Sequence, residues 1–411
     1  MVSHDFLRRD VRMLGDLLGS VIAEQAGAPA LALVEEVRQL ARDRRAGSPG
    51  AEAALASRIA GLDEGDARIV ARAFSVFLDM SNLAEDRHRV RVLRQRESDL
   101  APAPISESIG AGISQLKHEG FTTDQVQLAL NRLMIELIFT AHPSEAKRRA
   151  IRAKLRRMRQ CLLELDRADL LPRERQRLSQ QLETELTILW QTEFVRPTRP
   201  TVLQEVERGL SISPRLWEVV PQVYAALRAA LQNSYPGHEF DLPVFLRFGS
   251  WMGGDRDGNP NVTAEVTAKT FLWLRESAIE QHLAQANRMF DFLSISVREI
   301  DADEALNQGL SAAVAKWPAL DHALNQVAPR EIYRRWVTVI RWRLEQSLQA
   351  KWNEPARAGA YRDGEELIAD LQLICHSLHH YRGQLLLELL QPSGPWQIEL
   401  LIPDLERTFG R

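Results

Sequence analysis

Apolar residues recur every three or four positions over most of this chain. Leu14, Leu17, Leu18, Val21 and Ile22 share one helical stripe, and Ile69, Ala73, Phe74, Phe77, Met80 and Leu83 share another. Ile332, Trp336, Val339, Ile340 and Leu344 repeat the pattern late in the sequence. Such spacing puts the apolar side chains on one face of a helix, where a core can cover them. Gly47-Ser48-Pro49-Gly50 interrupts the pattern, and so does Leu100-Ala101-Pro102-Ala103-Pro104. Both are expected to be connections, because glycine and proline fit helix interiors poorly.

Two segments depart from the helical period. Residues 133–140 form a short apolar run broken only by Glu136, and residues 244–248 form another broken only by Arg247. Both have strand length, and each runs into a segment rich in polar residues or glycine. A buried strand that delivers polar groups from its C-terminal end is the layout of α/β barrels. Residues 293–300 alternate and fit either a third strand or a helix end. The fold expected is mostly α with a few buried parallel strands, too few to close a barrel alone.

Composition adds exclusions. The 411 residues are 45% hydrophobic and 26% charged with a net charge of −3, which gives no global attraction to nucleic acid or an anionic membrane. Cys161 and Cys375 lack close-spaced partners, so no disulfide framework or cysteine-based zinc site is indicated. Residues 1–27 carry scattered charges and do not look like a secretory signal, and no apolar run is long enough to span a bilayer. A cytoplasmic protein with neither nucleic-acid nor membrane partners is the expectation.

Candidate chemistry concentrates in two places. Gly249-Ser250-Trp251-Met252-Gly253-Gly254-Asp255-Arg256-Asp257-Gly258-Asn259-Pro260 holds four glycines, two carboxylates, Arg256 and Trp251. Glycines allow positive φ and close backbone approach to a ligand. Gly253, Gly254, Asp255, Asp257 and Asn259 are expected to organise this loop; Asp255 and Asp257 could also orient the Arg256 guanidinium. As a calcium loop it fails, with Pro260 at the sixth position and Val266 at the twelfth.

The other place is His142, where Pro143 favours an extended backbone and a helix is expected to follow. Lys147, Arg148 and Arg149 lie in its expected first turns, so His142 could move a proton beside an anionic substrate or serve only a structural turn. Eight of the thirteen residues 147–159 are Lys or Arg. Without interleaved aromatics, that helix fits a solvated face paired with acids such as Glu164, Asp166 and Asp169 better than a nucleic-acid surface. His376, His379 and His380 have helical spacing but no supporting acid, a weak case for metal.

These residues resemble those of phosphoenolpyruvate carboxylase. Thr140-Ala141-His142-Pro143-Ser144-Glu145 with Arg148-Arg149 is similar to that family's histidine signature, and residues 249–260 to its second long motif. Residues 7–15 with Glu24-Gln25, the segment Asn82-Leu83-Ala84-Glu85-Asp86, and residues 192–210 resemble further family segments. Two departures stand out. Ser144 replaces the usual Thr and keeps its hydroxyl, while Arg196-Pro197 stands where two basic residues are common, weakening an activator site there.

The resemblance implies the N-terminal portion of a helix-rich (β/α) barrel, with residues 1–100 as an N-terminal helical region and 101–411 as an incomplete barrel region, in one continuous, C-terminally truncated domain. It implies carboxylation of phosphoenolpyruvate by bicarbonate to oxaloacetate and phosphate, through carboxyphosphate and the enolate of pyruvate. His142 would be catalytic, Trp251 and Arg256 would bind substrate, and Arg148, Arg149 and Arg196 would bind an anion or activator. Magnesium or manganese would take its ligands from a C-terminal half that this sequence does not contain. The family further implies a homotetramer and allosteric control. The fragment alone is expected to be inactive; the alternative is a non-catalytic anion-binding or regulatory module of the same descent.

Overall fold

The computed structural model describes residues 4–140, 148–194, 200–299, 301, 303–350 and 357–380. Along the chain run α1 (His4–Ala26), α2 (Ala28–Arg45), α3 (Ala51–Ala60), α4 (Glu64–Leu100), α5 (Ile109–His118), α6 (Thr123–Arg132) and strand β1 (Ile135–Phe139). Then follow α7 (Arg149–Glu164), α8 (Pro172–Trp190), α9 (Val202–Leu210), α10 (Ser213–Ser234), strand β2 (Leu246–Ser250) and α11 (Ala264–Phe292). The remaining helices are α12 (Glu304–Lys316), α13 (Leu320–Leu324), α14 (Ile332–Gln349) and α15 (Gly364–His380). The protein is mostly helical, with two parallel strands among the described residues.

Two compact units share this chain. Met1–Ile105 and Ser144–Arg199 make the first, and Ser106–Pro143 with Pro200–Arg411 make the second. In the first, α1 packs on α2, α4 and α8, and α7 packs on α4 and α8. Its core joins Leu14, Leu18, Met80, Leu83, Met158 and Leu186, so the apolar stripes of α1 and α4 face each other as their spacing requires. A buried charge cluster ties the same helices. Asp10 takes Arg87 and Arg91, and both guanidiniums also bind Asp166 just beyond α7. Burial disfavours ionised Asp166, but the hydrogen bonds from Arg87 and Arg91 outweigh it and hold its pKa below the usual carboxylate range.

The second unit has two cores. Trp336, Val339, Ile340 and Leu344 of α14 are buried against α11, α12, α13 and α15, while Tyr224, Leu231 and Phe245 anchor the other beneath β2. His282 of α11 is buried edge-on to Trp217 of α10, with ring centroids 4.6 Å apart, and burial pushes its pKa down to about 3. Local signals start several helices. Thr122 with Gln125 and Thr201 with Gln204 form reciprocal capping boxes on α6 and α9, and Thr263 caps α11.

One expectation about the strands is corrected. β1 is not buried: Ile135 is 42% exposed, Leu137 48% and Ile138 45%, and β2 is its one strand partner among the described residues. Of the two readings left open for residues 293–300, the strand is not formed over 293–299; Leu293 caps the end of α11 and an irregular turn follows. Ile295 and Val297 pack on the α14 core, and the Val297 N–H donates to the Arg330 carbonyl instead of to a sheet partner.

Candidate functional site

β1 and β2 pair in parallel with Phe139 opposite Ser250, so both strands end side by side. The Phe139 and Phe248 rings stack at 6.0 Å beneath that end. The ladder continues one step further, where the Trp251 N–H donates to the Phe139 carbonyl at 2.9 Å. From this shared end leave the two segments marked in the sequence: the 249–260 loop, and the chain after Thr140 that leads to His142. His142 itself lies outside the described residues, as do Arg196 and Lys147.

The loop is built by local hydrogen bonds. The Gly254 and Asp255 N–H groups donate to the Trp251 carbonyl at 3.1 and 2.9 Å, closing a turn. The Asp257 N–H donates to Asp255 Oδ1 at 3.1 Å, and the Asn261 N–H to Asn259 Oδ1 at 3.1 Å, so Asp255 and Asn259 act as turn formers. Gly253 has φ +76°, and a Cβ there would lie 2.1 Å from Thr270 Oγ1. Both the left-handed backbone and the contact with α11 therefore exclude a side chain.

The expected carboxylate clamp on Arg256 is met by a different group. Among the described residues no ion pair joins Arg256 to Asp255 or Asp257; its Nη2 donates instead to Thr267 Oγ1 at 3.4 Å. The Thr267 hydroxyl donates in turn to the Gly253 carbonyl at 2.8 Å. Thr267 and Thr270 were not legible as site residues. Their only signal is the spacing of Thr263, Thr267 and Thr270, which puts all three on one face of the start of α11.

Beside the loop a mainly apolar cavity of about 380 Å³ opens in the second unit, lined by Phe139, Leu210, Phe248, Trp251, Met252 and Phe271 among others. Trp251 is 57% exposed at its edge. The site thus offers an exposed guanidinium and an indole over an apolar recess, an arrangement able to hold a small anion beside an apolar group.

Arg148 and Arg149 belong to the first unit. Arg148 is the residue before α7 and donates through Nη1 to the Glu193 carbonyl at 3.0 Å; Arg149 is the first helical residue and is exposed. Arg148 is the N-cap of α7, so it precedes the helix instead of lying in its first turns. Its basic face is paired, with other acids than those expected: Arg157 with Glu185 and Arg159 with Asp86. Among the described residues no group of three or more His, Cys, Asp or Glu side chains could hold a metal ion, and the side chains of His379 and His380 lie outside them. No described helix is long and apolar enough to cross a membrane.

Residues 7–391 match the family model described as phosphoenolpyruvate carboxylase. The phosphoenolpyruvate carboxylase of Roseiflexus castenholzii is 38% identical over 382 residues, covering 90% of this chain and 41% of its own. That of Thermus thermophilus is 42% identical over 301 residues, covering 73% of this chain and 33% of its own. For Pseudomonas aeruginosa the figures are 36% over 414 residues, 98% and 45%. The chain thus spans less than half the length of these relatives, yet both motif segments fall inside the matched region. It belongs to the phosphoenolpyruvate carboxylase family.

Proposed function

We propose that this chain supplies the N-terminal part of a site that carboxylates phosphoenolpyruvate with bicarbonate. The observation that carries the proposal is the shared strand end: Phe139, three residues before His142 in sequence, pairs with Ser250 at the start of the 249–260 loop. Ligands of strand-built sites gather at C-terminal strand ends, where free backbone groups and loop side chains converge.

In this reading a bicarbonate oxygen attacks the phosphoryl phosphorus, the P–O bond to the enol oxygen breaks with its electrons left on the enolate, and carboxyphosphate forms. His142 takes the carboxyphosphate proton; the C–O bond to phosphate then breaks, giving carbon dioxide and inorganic phosphate. The enolate carbon attacks carbon dioxide, giving oxaloacetate. Arg256 supplies positive charge to the bicarbonate and phosphate oxygens, and Trp251 walls the apolar side and excludes water. Arg148, Arg149 and Arg196 are proposed to hold an activating anion. The described residues do not form a magnesium or manganese site, so a divalent ion enters the proposal only with ligands from elsewhere, and no step is assigned to it here. A homo-oligomer and a cytoplasmic location complete the proposal.

The test is oxaloacetate formation from phosphoenolpyruvate, bicarbonate and magnesium, coupled to malate dehydrogenase. The chain is assayed alone and with the C-terminal part of the Roseiflexus castenholzii relative. Activity is expected only in the mixture, and His142→Asn should lower it by a factor of about 10² to 10⁴, as loss of a general acid–base group does. Undiminished turnover by that variant would remove His142 from the mechanism. A well-folded but inactive mixture would favour a non-catalytic anion-binding module.

A further inference from the structure

The start of α11 presents Thr263, Thr267 and Thr270 to the glycine-rich loop, and each does a different job. Thr263 caps the helix by accepting from the Val266 N–H. Thr270 is buried, donates back to the Val266 carbonyl and fills the space beneath Gly253. Thr267 faces the loop itself.

A hydroxyl has one proton to give. For Thr267 the nearer acceptor is the Gly253 carbonyl at 2.8 Å, against 3.2 Å to the Thr263 carbonyl of its own helix. With the proton directed to Gly253, the oxygen lone pairs remain for the Arg256 guanidinium, whose Nη2 lies 3.4 Å away. One side chain therefore ties the turn to the helix and receives the cation that the loop carries. Its chemistry matters as much as its position. A carboxylate at this place would neutralise the guanidinium, whereas a neutral oxygen orients it and leaves its charge and remaining N–H groups for an anion.

We propose that Thr267 is a positioning residue of this site. It fixes the Gly253 carbonyl and holds Arg256 with its charge uncompensated, so that a bicarbonate or phosphate oxygen becomes the ion partner. The inference rests on the assignment of Arg256 to the substrate anions made above. Thr267 touches no substrate in this scheme and acts through Arg256.

The pin and its functional consequence are tested separately. In the 411-residue chain, hydrogen exchange is measured on the peptide containing the Gly254 and Asp255 amides. Thr267→Val, which keeps shape and loses the hydroxyl, should speed their exchange roughly tenfold, and Thr267→Ser should restore the wild-type rate. Unchanged exchange in the valine variant would overturn the pin. In the chain mixed with the relative's C-terminal part, Thr267→Val should raise the KM for bicarbonate about tenfold or more, with serine within about twofold of wild type. Thr267→Val added to Arg256→Gln should then cost little beyond Arg256→Gln alone. Fully additive losses would show that Thr267 does not act through Arg256. If the wild-type mixture makes no oxaloacetate, the carboxylation reading fails, while the exchange experiment still decides the pin.

Discussion

Gly253 meets two independent constraints, and substitution can separate them. Gly237 has a similar positive φ of +82°, and a methyl group there would find nothing within 4 Å, whereas a methyl on Gly253 would meet Thr270. Gly237→Ala should therefore cost only the backbone term of about 1 kcal/mol, and Gly253→Ala roughly 1–3 kcal/mol more. Urea unfolding followed by tryptophan fluorescence checks the difference. His282 gives a pH prediction. Its folded pKa of about 3 lies below the ordinary value of 6.5, so between these limits the unfolded chain binds a proton that the folded chain refuses. Stability is fully present above about pH 6.5 and falls as pH drops toward 3, by up to about 1.4 kcal/mol per pH unit. His282→Leu should flatten that part of the stability–pH curve. At this scale the sequence revealed the loop's turn formers, since glycine, Asp and Asn announce their backbone chemistry. It hid Thr267 and His282, whose roles come from neighbours distant in the chain.

Among the elements, the helices were the most legible, because one buried stripe per helix is visible as a three- and four-residue period. Strands were harder: residues 135–139 are a short apolar run and 293–299 a short alternating one, and only the first has a strand partner among the described residues. The basic helix shows a further limit. Its charge pattern predicted pairing, but not that Glu185 and Asp86 would be the partners, nor that Asp166 would serve α4 instead. That last arrangement carries a prediction. The Arg87 side chain is 6% exposed and that of Asp10 3%, so removing the guanidinium leaves Arg91 as the one cation holding both Asp10 and Asp166 among the described ion pairs. Arg87→Ala should destabilise the first unit by about 1–3 kcal/mol, read as a lower urea midpoint. Arg157→Ala, which takes a half-exposed guanidinium from the mostly buried Glu185 carboxylate, should cost about 1–3 kcal/mol.

At the scale of the molecule, Ile135, Leu137 and Ile138 of β1 are 42–48% exposed among the described residues, and the matched relatives are more than twice as long as the region they share with this chain. We propose that further sequence of the kind those relatives contain covers this strand. The chain by itself should enhance the fluorescence of a hydrophobic dye, and adding the relative's C-terminal part should suppress the signal. Leu137→Glu should weaken dye binding with little loss of stability, since Leu137 is already half exposed. A dye-silent wild-type chain would count against that cover.

The chain's route through its two units also sets a schedule for its synthesis. β1 is made before α7 and α8, which belong to the other unit, and its partner β2 appears about a hundred residues later. At ribosomal speeds of about 5–20 residues per second, that gap lasts roughly 5–20 s. During it a strand rich in Ile, Leu and Phe has no neighbour to pair with. The first unit can meanwhile gather its helices, since α7 and α8 emerge within that interval. Nascent-chain length, more than the strength of any one contact, thus decides when the loop that carries Arg256 acquires its strand platform.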